Sequence, residues 1–150
     1  MKKVKSGHSF LTTLFLLAFG FTVVSPVTEK EILLQFKGNI SSDPYNSLSS
    51  WDSSRSPCID YSGVFCNSNG NVYKIVLWNT SLGGVLSPGL SELKSLRIIS
   101  LFGNRFSGNI PPEYGEIDTL RKINLSSNAL SGSVPEILGD LTNIRFLDLS

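Results

Sequence analysis

Histidine is nearly absent from this 150-residue chain: its one copy, His8, lies close to the N-terminus. Chemistry that needs an imidazole base therefore has no partner in the rest of the chain. Cysteine is scarce as well. Cys58 and Cys66 are the only two, and two thiolates without a neighbouring histidine make a poor zinc ligand set. No G-x-S-x-G elbow and no Walker loop occurs. Glu113, Glu116 and Asp118 sit close in sequence around one turn and read as a solvated face. The chain is thus read as non-enzymatic, with no cofactor and no metal. Charge is sparse, at 17% of residues and a net +1. Without the segment 1–25, Lys2, Lys3 and Lys5 leave and no acid does, so +1 becomes −2. Lys and Arg are scattered; only Arg121-Lys122 is an adjacent pair after the N-terminus, and it reads as a solvated strand edge. There is no basic footprint for nucleic acid. A second long apolar run is missing too: Phe10 to Val24 is the one such stretch, and it is too short for a comfortable membrane span.

What the chain does have is a strict period of about two dozen residues. Val72, Leu96, Leu120 and Ile144 align at one constant offset, as do Ile75, Ile99, Ile123 and Leu147, then Leu77, Leu101, Leu125 and Leu149. Thr80, Asn104 and Asn128 follow in register, and Gly84, Gly108 and Gly132 after them. A fixed period of this length with an L-x-x-L-x-L-x-x-N-x-L pattern signals a leucine-rich-repeat solenoid. Each L-x-L core is a short strand whose side chains alternate inward and outward. One block cannot bury its own apolar side, so stacked blocks share an interior and line up a parallel sheet. Asn104 and Asn128 stand where the chain leaves the sheet, and their amides can pair with backbone groups otherwise left without partners. Thr80 marks an atypical first repeat. The recurring glycines suit a φ > 0 or crowded turn position.

Asn128-Ala129-Leu130-Ser131-Gly132-Ser133-Val134-Pro135, followed by Leu138-Gly139 and Leu141, resembles the plant-type leucine-rich repeat, N-x-L-S-G-x-I-P-x-x-L-G-x-L. The first block departs from it, since Gly84-Val85-Leu86-Ser87 lacks the proline. Leu48-Ser49-Ser50-Trp51, then Pro57-Cys58, then Tyr61-Ser62-Gly63-Val64-Phe65-Cys66 resembles the N-terminal cap of the same family, with Tyr61 in place of the usual tryptophan. Signal, cysteine-pair cap and plant-type repeats together are similar to the start of plant leucine-rich-repeat receptor-like kinases. That resemblance implies an α/β solenoid with a parallel sheet on its concave face and a helical, disulfide-bonded N-terminal cap.

The expected organisation is a signal peptide over 1–25, the cap over 26–71, and repeats over 72–150, three complete and a fourth truncated. Lys2, Lys3 and Lys5 ahead of the apolar run form a secretory signal, with cleavage near Gly20 or near Ser25. Export permits a disulfide, and a Cys58–Cys66 bridge is the simplest use of one pair. Thr28-Glu29-Lys30-Glu31 reads as a capping box, Val27 and Ile32 as a hydrophobic staple, and Ile32, Leu33, Phe36 and Ile40 as one helical face. The spacing predicts a helix over 29–37 ended by Gly38. It and Trp51 would cover the apolar cross-section of the first repeat. The chain stops inside the fourth strand, which points to a longer natural product or a shortened gene model.

Outward strand positions form the candidate binding face: Lys74, Val76 and Trp78, then Ile98, Ser100 and Phe102, then Lys122 and Asn124, with Ser126, Phe146, Asp148 and Ser150 continuing it. Trp78 and Phe102 share a column about 4.8 Å apart. An exposed aromatic patch suits a partner, but the cap could also fold over the rings, or they could serve cross-strand pairing. Asn39, Asn79 and Asn124 open N-x-S/T sequons and are N-glycosylation candidates. The resemblance implies a peptide or other extracellular ligand, a co-receptor, or both, at the outer face of the plasma membrane, with membrane contact only through segments absent from this chain. A secreted soluble repeat protein, such as an inhibitor of cell-wall-degrading enzymes, is the alternative.

Overall fold

The computed structural model describes residues 25–150; the predicted signal peptide falls outside them. Helix α1 spans Glu29–Gly38 and opens on the expected capping box. Thr28 Oγ1 accepts from the Glu31 backbone N–H at 3.2 Å, and the Glu31 carboxylate accepts from the Thr28 N–H at 2.7 Å. These bonds satisfy donors at a helix start that has no intrahelical partners. The other end falls within one residue of expectation. Gly38 is the last helical residue and not a left-handed stop; Asn39 caps the helix in a right-handed conformation, and the chain runs straight into strand β1, Ile40–Ser42. Helix α2, Pro57–Asp60, leads to β2, Val64–Cys66, and the Cys58–Cys66 disulfide clamps this short segment with the sulfurs 1.99 Å apart.

The repeats follow. Strands β3 (Val72–Val76), β5 (Ile98–Ser100), β7 (Lys122–Asn124) and β9 (Phe146–Asp148) are parallel neighbours in sequence order, and every pairing joins residues one repeat apart. Strand β2 closes their open side by pairing antiparallel to β3. A second sheet was not foreseen. Strands β4 (Gly83–Val85), β6 (Arg105–Gly108) and β8 (Ala129–Leu130) run parallel to one another, and β1 pairs antiparallel with β4. Three 3-10 helices, Pro88–Glu92, Pro112–Glu116 and Glu136–Asp140, complete the coils.

Between these layers lies the shared apolar interior. Ile75, Leu77, Leu96, Ile99, Leu101, Leu120, Ile123 and Leu125 are all buried to 3% exposure or less. The cap is continuous with it: the Phe36 ring packs against Trp51 at 5.9 Å and against Phe106 of the second repeat at 6.0 Å. Trp51 is 1% exposed, stacks on Tyr61 at 5.3 Å and donates its indole N–H to Ser62 O at 2.9 Å. A buried indole needs such a partner. Glu29 accepts from the Val72 N–H at 2.8 Å and ties the helix to the first repeat.

The asparagines perform the expected pairing. Asn104 accepts from the N–H groups of Thr80 and Leu82 and from the Thr80 hydroxyl, and donates to Leu77 O and Leu101 O. Asn128 donates to Leu101 O and Leu125 O and accepts from the Phe106 N–H. Backbone turns repeat as well: Asn79, Gly103 and Ser127, equivalent positions of successive repeats, are all left-handed, and Gly84, Gly108 and Gly132 share positive φ. A side chain on Gly84 would run into the Asn39 carbonyl and the Ile40 backbone, so the second sheet closes on the cap only over a glycine.

Candidate functional site

The five-stranded face presents three rows of outward side chains. The first, in strict register, is Phe65, Lys74, Ile98, Lys122 and Phe146. Its two lysines each lie over a ring, Lys74 Nζ 4.3 Å from the Phe65 centroid and Lys122 Nζ 4.5 Å from that of Phe146. Val76, Ser100, Asn124 and Asp148 make the second row. Trp78, Phe102, Ser126 and Ser150 make the third, joined by backbone bonds such as Asn79 N–H to Phe102 O at 2.9 Å. All twelve residues expected on this face are therefore brought together, with Phe65 added to them.

They are not equally open. Trp78 is 56% exposed, and the cap does not cover it. Phe102 is half-buried. Ser100 faces the expected way but is only 2% exposed, because the Trp78 indole N–H donates to its Oγ at 2.8 Å and the ring shields it. Asn124 is half-buried and accepts from the Ser126 hydroxyl at 2.7 Å, a pattern that Asp148 and Ser150 repeat in the next coil at 2.8 Å. The Ser150 bonds hold the Asp148 carboxyl below its usual range. Asn79 is exposed, while Asn39 is half-buried at the helix end.

Beside the first repeat an open groove of about 410 Å³ runs between the cap and the sheet. Asn46, Ser47, Ser49 and Ser62 line its cap side, and Val76 and Trp78 its sheet side. Sequence reasoning missed the cap wall and Phe65. The alternation in Gly63-Val64-Phe65-Cys66, with Val64 buried and Phe65 exposed, was the available signal for the latter. Among the described residues no cluster of three His, Cys, Asp or Glu is assembled, and no helix is long and apolar enough to cross a membrane. Glu116 and Asp118 line a separate cleft of about 250 Å³ on the turns ahead of the strands. The face presents aromatic area, hydroxyls and two lysine cations.

Residues 27–67 match the family model described as Leucine rich repeat N-terminal domain, and residues 95–117 and 119–141 each match Leucine Rich Repeat. The chain belongs to the leucine-rich-repeat family. It is similar to receptor protein-tyrosine kinase CEPR2 of Arabidopsis thaliana, 41% identical over 82 residues that cover 54% of this chain and 8% of CEPR2. Among solved structures it is similar to the crystal structure of PEPR1–AtPEP1, with a TM-score of 0.74 and 32% identity over 80% of this chain and 17% of that one. The BIR3–SERK2 complex from Arabidopsis thaliana gives a TM-score of 0.55 and 28% identity over 79% of this chain and 78% of the matched chain. The repeat domain thus resembles plant receptor-kinase ectodomains, while spanning less than a fifth of CEPR2 and of the PEPR1 chain.

Proposed function

We propose that this repeat domain is the extracellular recognition module of a plant receptor-like protein kinase. It binds a peptide or other extracellular ligand, a co-receptor ectodomain, or both, on the five-stranded face; it does not carry out catalysis itself. Residues 1–25 direct the chain into the secretory pathway, and Asn39, Asn79 and Asn124 are its acceptors for N-linked glycan. The observation that carries the reading is Trp78, 56% exposed at the edge of the cap groove with Phe102 next to it in the same row. Solvent-facing strand positions are ordinarily polar, and large exposed aromatics beside a groove are the usual anchors of an interface. PEPR1 has been solved with AtPEP1 and SERK2 with BIR3, which supports a recognition role for a domain of this shape.

The test uses the secreted, disulfide-bonded chain against a panel of synthetic secreted plant peptides, AtPEP1 among them, and purified SERK2 ectodomain. At least one member binds saturably, and Trp78→Ala with Phe102→Ala weakens it by about thirtyfold, as expected for loss of an anchor worth about 2 kcal/mol. The melting temperature falls by less than about 5 °C, because the rings are not core. No binding across the panel, or binding indifferent to both alanines, overturns the proposal.

A further inference from the structure

Cations that look scattered in sequence are gathered by the fold. Arg97, Arg121 and Arg145 occupy the same position in successive repeats and stand at the heads of β5, β7 and β9. Their backbones form one ladder: Arg121 N–H donates to Arg97 O and Arg145 N–H to Arg121 O, each at 2.8 Å. All three side chains are exposed. The adjacent row holds Lys74 and Lys122. Ten Lys and Arg follow Ser25, and five of them lie on this strip, although the segment as a whole is net negative. The five strands contribute a single acid, Asp148, whose Oδ1 is occupied by the Ser150 N–H and hydroxyl; Glu116 and Asp118 line the cleft on the turn before Arg121. The lysines lie over aromatic rings, which orients them without neutralising them.

We propose that this strip selects an acidic peptide segment, lying extended across the strand heads with its carboxylates on the arginines and lysines. This rests on the reading of the five-stranded face as a recognition surface and names the charge of its ligand. Three arginines at strand spacing cover about 10 Å, the length of about three extended residues. Arginine in such a row offers two-pronged donors to each carboxylate. A peptide fits better than an acidic polysaccharide because Ile98 sits between the lysines and Val76 lies in the next row. Those aliphatic contacts reward apolar side chains, which a uronic acid chain lacks.

The experiment measures binding of three fluorescent peptide pools of about twelve residues, random in order but fixed at net charge of about −4, 0 and +4. The acidic pool binds at least about tenfold tighter than the basic one, and the preference shrinks as NaCl rises. In R97E/R121E/R145E the preference disappears, whereas K30E/R55E/R105E, which changes net charge equally but on the cap and the second sheet, keeps it. No preference between pools, or equal loss in both triple variants, overturns the inference. So does an oligogalacturonate competitor that binds at least as tightly as the acidic pool. If the arginine reversals leave binding unchanged while Trp78→Ala and Phe102→Ala abolish it, the charge assignment fails and the recognition face stands. If neither set matters, both fail.

Discussion

Asn104→Ala tests the physical basis of the solenoid. Asn104 is 7% exposed, and its amide bridges two repeats. Its removal strands two groups outright: Leu77 O, which it meets at 2.6 Å, and Leu82 N–H, at 3.0 Å. Leu101 O keeps Asn128 as a donor, at 3.0 Å, and the half-buried Thr80 can turn to water. A stranded buried group costs about 1–3 kcal/mol, so the substitution destabilises by about 4 kcal/mol. For a domain of this size that lowers the melting temperature by about 12–20 °C. Asn128→Ala costs about half as much, since Asn128 is half-buried and accepts one bond where Asn104 accepts three. Asn104→Asp is no rescue at neutral pH, because a carboxylate faces the Leu77 and Leu101 carbonyls in place of a donor. Thermal unfolding followed by circular dichroism, on the oxidised chain, gives the ranking. An Asn104→Ala protein melting within about 3 °C of the parent, or an Asn128→Ala protein melting lower still, would refute the claim that the buried amide bridges the coils.

Three further outcomes follow from the cap and its junctions. Replacing Cys58 and Cys66 by Ala removes a short cross-link of sequence separation 8 and destabilises by about 2–3 kcal/mol, read as an earlier urea midpoint. Gly84→Ala costs more than Gly103→Ala, because the new methyl meets the cap backbone at Asn39 and Ile40 in the first case and the movable Asn79 side chain in the second; the two melting curves settle the order. Acid weakens the helix start. Hydrogen bonds from Thr28 hold the Glu31 carboxyl below its ordinary 4.5, so its contribution is present above that value and is lost as pH falls through the lowered one. The melting temperature of Glu31→Gln accordingly falls less on acidification through that range than that of the parent.

The repeat interior was legible because apolar positions recurring at one fixed offset have one common explanation, and Ile99, Leu101 and Leu125 are buried as their spacing requires. The second sheet was not. Gly83–Val85 and Arg105–Gly108 are too short and glycine-rich to alternate, and nothing local distinguishes such a strand from a turn. Gly38 ends the helix as read, but without the left-handed turn a glycine there ordinarily brings; β1 pairs with β4 and carries the chain onward. On the candidate face, register predicted which side chains share a surface but not how far each is covered. Ser100 depends on a bond from the Trp78 indole in the preceding repeat. The arginine column illustrates the same limit. Its members are far apart in sequence and adjacent only once the coils are stacked.

Both sheets end against the cap in the same manner. Strands β1 and β2 each run antiparallel to their neighbour, span three residues and carry a register irregularity, between Ile40 and Ser42 in one and between Phe65 and Cys66 in the other. Such short, kinked margins are poor templates for a further strand. Units duplicated downstream of β4 would leave this seal untouched, whereas an insertion upstream would break it. The architecture therefore gives its lineage a direction: length can be gained or lost on one flank while the other stays shut.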